Sequence, residues 1–224
     1  MNKLTKTPRS SLLAGLVGVA CGFAALSASA GTISGSKHDL RGWLTITEIC
    51  VVCHTPHNAQ AVTDAPLWNH EVTTATFTLY NSPSFDGSAT ITQPSGHSKL
   101  CLSCHDGTVA IDAYGANVGN GTPGGELPVD SVVNFGTDLS NDHPVSFVYD
   151  AVADAGLVDP ATTITVGSGG DALTGTITDL LLPDSGQVQC TSCHDVHNVR
   201  AVDGTKLLRV SNAGSALCLT CHDK

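Results

Sequence analysis

The pentad Cys-x-x-Cys-His occurs four times, at Cys50–His54, Cys101–His105, Cys190–His194 and Cys218–His222. Two thiols at this spacing also suit a zinc ribbon or a thiol–disulfide redox centre. The His after the second Cys is the discriminating residue. In covalent haem attachment two thioethers hold the porphyrin edge and that His ligates the iron. His is 10 of 224 residues, so chance would place one after all four pairs about a few times in a million. Two four-thiolate zinc ribbons would explain the Cys and leave the four His without a role.

Four haem c groups would constrain the fold more than the polypeptide does. The chain has only 5 Phe, 2 Trp and 3 Tyr, thin material for a core of this size. The expectation is a mostly irregular, haem-cored chain whose folding is coupled to cofactor attachment. Short helical turns are expected at the pentads, with a short helix near Ser215–Cys221. A few short β-strands or hairpins are expected in a central insert, from Val145–Tyr149, Thr162–Val166 and Thr174–Leu182, where β-branched runs alternate with Gly and Asp. Gly119–Gly125 reads as turn-rich.

Residues 1–30 carry Lys3, Lys6 and Arg9, then an apolar run from Leu12 to Leu26, then Ala28-Ser29-Ala30. This is the pattern of a secretory signal peptide. Eight of the nine Cys lie in the pentads. The ninth, Cys21, falls in the apolar run. It reads as lost on cleavage, with lipidation the alternative. Removing residues 1–30 leaves 7 basic and 20 acidic residues, a formal charge of −13. Such a chain is a poor partner for nucleic acid or anionic membrane surfaces. No second apolar run is long enough for a membrane span. The chain is expected to be exported, to the cell exterior or the periplasm.

The pentads are of two alternating kinds. Cys50-Val-Val-Cys53-His54-Thr-Pro-His57-Asn58 matches Cys190-Thr-Ser-Cys193-His194-Asp-Val-His197-Asn198. Leu100-Cys101-Leu-Ser-Cys104-His105-Asp106 matches Leu217-Cys218-Leu-Thr-Cys221-His222-Asp223. A duplication is implied, with a first haem-pair module over 31–112, a Gly/Thr/Asp-rich insert over 113–188 and a second module over 189–224.

His54, His105, His194 and His222 each supply one axial ligand. The only Met is Met1, so Met–His ligation is excluded once the leader is removed. His38, His57, His70, His97, His143 and His197 remain, enough for His on both sides of every iron. Such ligation closes the metal and favours electron transfer. His57 and His197 follow their pentad His by three residues and share its face of a turn. Neither easily reaches the far side of its own porphyrin, so each is expected to serve another one. His70 and His97 read as non-ligands.

The segments Gly35-Ser-Lys-His38-Asp-Leu40, Cys50–Asn58, Pro66-Leu-Trp-Asn69, Lys99–Gly107 and His143-Pro-Val-Ser-Phe147 resemble small tetrahaem cytochromes with doubled CxxCH motifs, and most of all the extracellular cytochromes of metal-reducing bacteria that form conductive filaments. The resemblance implies that His38 caps the first haem, His143 the second and His197 the fourth, while His57 caps the third haem of the next protomer. That last bond would be a head-to-tail contact that propagates. Repeat symmetry offers a rival, with His57 on haem two and His143 on haem three of the same chain.

Three functions compete. One is a homo-oligomeric filament conducting electrons to other redox proteins or extracellular acceptors. Another is a soluble periplasmic tetrahaem carrier whose ligands all come from one chain. The third is a multihaem reductase, which needs one open iron. Six-coordinate irons argue that the protein is not an enzyme, and no catalytic triad or phosphate loop is present. The scattered Asp residues lack EF-hand spacing and read as solvated loops.

Overall fold

The computed structural model describes residues 33–62, 64–86, 92–116, 125–203 and 206–223. The signal-peptide reading, Cys21 and all but the last residue of the Gly119–Gly125 stretch lie outside the described residues.

The described chain is largely irregular, with short helices, 3-10 turns and a few short antiparallel strands. In order they are a 3-10 turn (Leu40–Gly42), α1 (Gly96–His105), β1 (Phe147–Val148), β2 (Thr163–Val166), a 3-10 turn (Gly169–Asp171), β3 (Leu173–Thr176), α2 (Ile177–Leu181), α3 (Pro183–Gly186), β4 (Gln187–Val188), α4 (Cys190–Cys193), a 3-10 turn (Ala213–Ser215) and α5 (Ala216–Leu219). α3 is a kinked turn, since Asp184 and Ser185 have φ of 52° and 64°.

β2 and β3 form an antiparallel hairpin with Thr163 opposite Thr176 and Val166 opposite Leu173. Its β-branched residues suit the pleat. The run Thr174–Leu182 is not one strand, however. The Thr176 hydroxyl accepts from Asp179 N, an N-cap that turns the chain into α2. β1 pairs with β4, Phe147 opposite Val188, and so ties the middle of the insert to the residues just before the third pentad.

The insert also departs from the expectation of a core supplied by cofactor alone. Phe147, Tyr149, Val166, Ile177, Leu181, Leu182 and Val188 form a side-chain core of their own. Ile177 is fully enclosed; cutting such a side chain to Ala costs about 2–5 kcal/mol. The Tyr149 hydroxyl lies 2.7 Å from Val158 O and 3.0 Å from Cys221 O, so this core reaches the fourth pentad. Two smaller clusters sit around the first two pentads. Leu44, Val52, Ile111 and Leu127 make one; Phe77, Leu102 and Leu139 make the other.

The pentads are not all single helical turns. The first lies in turns without a helix. The second ends α1, ten residues long, and the third opens α4.

Candidate haem sites

The type A pentads sit in two arms that repeat bond for bond, 140 residues apart. His54 Nδ1 lies 2.8 Å from Pro66 O, and His194 Nδ1 2.7 Å from Lys206 O. Thr55 N donates to Leu67 O as Asp195 N donates to Leu207 O. Asn69 N donates to Cys53 O as Arg209 N donates to Cys193 O. Asn58 and Asn198 share left-handed φ of 55° and 54°, as do Leu67 and Leu207 with 55° and 58°. Each arm folds the chain back over its pentad His, through the bridges His54↔Trp68 and His194↔Leu208.

A carbonyl can only accept, so the Nδ1 of His54 and of His194 must carry the proton. His105 Nδ1, 2.7 Å from Val133 O, and His143 Nδ1, 2.9 Å from Pro144 O, are fixed the same way. In each of these rings Nε2 keeps its lone pair, the state in which imidazole ligates a metal.

The imidazoles come in facing pairs. His38 and His105 have ring centroids 6.1 Å apart, His54 and His197 6.2 Å, and His143 and His222 6.3 Å. A ligating nitrogen stands about 2 Å from a transition metal and its ring centre about 1 Å beyond, so rings on opposite sides of one ion stand about 6 Å apart. The residues therefore fit bis-His haem, with each pair joining one pentad His to one distal His. Among the described residues no such ring pair includes His194 or His57, and His57 is exposed. Burial presses the His38 pKa down to about 4, with His105, His194 and His197 adding to the effect. Burial also lowers His197. Both rings are thus held neutral.

This pairing departs from the assignment that the resemblance implied. His38 faces the second pentad His, not the first. His143 faces the fourth, not the second, and His197 faces the first, not the fourth. Repeat symmetry fares no better, since His143 does not face His194. His197 stands opposite His54, away from its own pentad His. Chain path decides these matches, and no local sequence signal carries it.

His70 and His97 are otherwise engaged. His70 is buried, with Nδ1 2.8 Å from Glu71 O and Nε2 3.1 Å from Ala110 O. Both nitrogens point at main-chain acceptors, so neither offers a lone pair outward. His97 Nδ1 pairs with Asp184 at 2.9 Å.

The eight pentad cysteines are free thiols, as attachment requires. Burial raises Cys104 well above the usual thiol value, with Cys53 and Asp106 adding to it. Cys101 and Cys190 act on one another, Cys101 being raised and Cys190 lowered to about 7. Burial raises Cys221 to about 11, with Cys193 adding to it. Among the described residues no three His, Cys, Asp or Glu side chains converge as they would around a metal ion.

Residues 184–224, which hold the third and fourth pentads, match the doubled CXXCH motif family. That match supports a place among the multihaem c-type cytochromes. It supports covalent haem c attachment and a role in electron transfer. No curated protein matches the chain. Among the described residues no helix is long and apolar enough to cross a membrane.

Proposed function

We propose that the chain carries four haem c groups, each between two imidazoles, and conducts electrons as one protomer of an extracellular filament. Haem supplies one-electron chemistry when bound. The protein binds it through Cys50, Cys53, Cys101, Cys104, Cys190, Cys193, Cys218 and Cys221. His54, His105, His194 and His222 ligate on one side, and His197, His38 and His143 complete the first, second and fourth sites.

One observation carries the filament reading. After three ring pairs, one pentad imidazole and one exposed distal imidazole are left over, His194 and His57. A second copy of the chain supplies the missing half of each. The contact is heterologous, so it repeats rather than closes. The bonds that join Ser98, in the helix of the second pentad, to Gln189 and Cys190 support a path across the middle of each protomer. In this reading every iron is six-coordinate and the protein is not an enzyme.

The decisive experiment is His57→Ala on the mature protein. Polymers are expected to disappear while four haems per chain remain by mass, with one haem turning high-spin. Filaments formed by this variant would refute the intersubunit bond.

The lone His194 also favours a second reading, a reductase with an open third iron. A high-spin ferric signal in the assembled wild-type protein would select it. A periplasmic carrier would instead be a low-spin monomer, with an in-chain group on the third iron.

A further inference from the structure

The second and third pentads belong to different halves of the duplication, yet their helices pack together through a buried polar hub. Gln189, immediately before Cys190, is 1% exposed, and Ser98, three residues before Cys101, is 0% exposed. The Gln189 Oε1 accepts from Ser98 N at 3.0 Å and the Ser98 hydroxyl oxygen accepts from Cys190 N at 3.0 Å. Gln189 Nε2 donates to Gln187 Oε1 and Gln189 N donates to Ser192 Oγ, both at 2.9 Å. The buried Ser146 hydroxyl, 3.3 Å from Gln189 Oε1, accepts from Ser95 N at 3.1 Å. Asp184 Oδ2 takes His97 N at 3.2 Å and the His97 ring at 2.9 Å.

These bonds do two things together. They satisfy the first N–H groups of α1, which have no partners within the helix, using residues from the segment that leads into the third pentad. They also lock α1 against α4, with Ser98 of the second pentad's helix bonded to the N–H of Cys190 itself. The approach is so close that a Cβ on Gly96 would stand 2.3 Å from Asp184 Oδ2. In the first arm the position matching Gln189 is Ile49, so the hub is no by-product of the repeat. It lies where the two halves meet.

We propose that Gln189, Ser98, Ser146 and Asp184 are positioning residues that set the second and third haems edge to edge, making this junction the electronic link between the two haem pairs. The inference rests on the four-haem reading above. A half-satisfied buried polar cluster is costly, so loss of Gln189 separates the helices rather than leaving the hub intact.

The test is proton NMR on the fully reduced holoprotein; if the wild type polymerises, it is done in the His57→Ala background with carbon monoxide on the third iron, which keeps every reduced haem low-spin and diamagnetic. A nuclear Overhauser contact is expected between the thioether substituents bonded to Cys101 and Cys190. Gln189→Leu and Ser98→Ala are expected to lose that contact. They keep four haems per chain by mass and keep the contact between the substituents at Cys193 and Cys221. A general folding defect would weaken every inter-haem contact alike, so the selective loss separates positioning from mere stability. Gln60→Leu, which removes the bond from Gln60 Nε2 to His70 O away from the junction, is expected to retain the Cys101–Cys190 contact. Two results overturn the proposal: no such contact in the parent protein, or its survival in both hub variants. A parent chain without covalent haem would instead overturn the four-haem reading and would show it by mass alone.

Discussion

The two arms, residues 50–69 and 190–209, share one backbone and differ in what they face. In both, the pentad His is pinned to a main-chain carbonyl twelve residues on, and an Asn and a Leu take left-handed φ at matching places. Yet the second arm lends its distal ring, His197, to the first arm's pentad. The first arm's distal ring, His57, has no such partner among the described residues. One side-chain difference accompanies this. Thr55 bonds the backbone of His57 itself, donating to its carbonyl at 2.9 Å. Asp195 is buried and gathers the N–H groups of His197 and Arg200 at 3.2 and 2.6 Å. The two arms share the geometry around their pentad His, and their surroundings decide what each distal ring faces.

The comparison breaks most sharply at the distal rings. In His197→Ala the first site loses its facing imidazole. One haem per chain is expected to turn high-spin, as in His57→Ala, but assembly should persist because His57 and His194 are untouched. Electron microscopy beside an absorption spectrum checks both, and loss of filaments in His197→Ala would remove the proposed difference between the arms. A milder test exploits burial. Leu207 is 3% exposed and Leu67 is 53% exposed at the same backbone angle. Leu207→Gly is expected to destabilise by about 2–5 kcal/mol, because lost packing outweighs relieved strain. Thermal unfolding of the holoprotein reads this directly.

Asp195→Thr, which copies the first arm's residue into the second, is expected to cost about 1–3 kcal/mol from the backbone N–H groups left unpaired. The smallest effect is Leu67→Gly, expected to gain about 0.4–1 kcal/mol from relief of the left-handed angle at an exposed position, less the added freedom of the unfolded chain.

Much of this site was legible because attachment chemistry is local. Five consecutive residues announce a pentad, and the two kinds of pentad announce a duplication. The hairpin of β2 and β3 also followed from its β-branched run. What escaped was governed by distance along the chain. The ten-residue length of α1 depends on Asp184 and Gln189, more than eighty residues away in sequence, and nothing in Gly96-His97-Ser98 signals them. Gln189 against Ile49 was visible as a break in the repeat, but its meaning needed the packed helices. The switch from strand to helix at Thr176 did carry a local signal, a Thr three residues before Asp179. The matching of distal to pentad His depends on the path of whole loops, which spacing arguments do not resolve.

The oxygens that hold His54, His105 and His194 belong to the main chain at Pro66, Val133 and Lys206. A peptide carbonyl survives any side-chain replacement at its own residue. The orientation of these three rings is thereby insulated from side-chain replacement at those residues. In the four-haem reading proposed above, any spread among the potentials of these three centres would then come from the opposite ring and the local polarity, the parts of each centre that substitution can still reach.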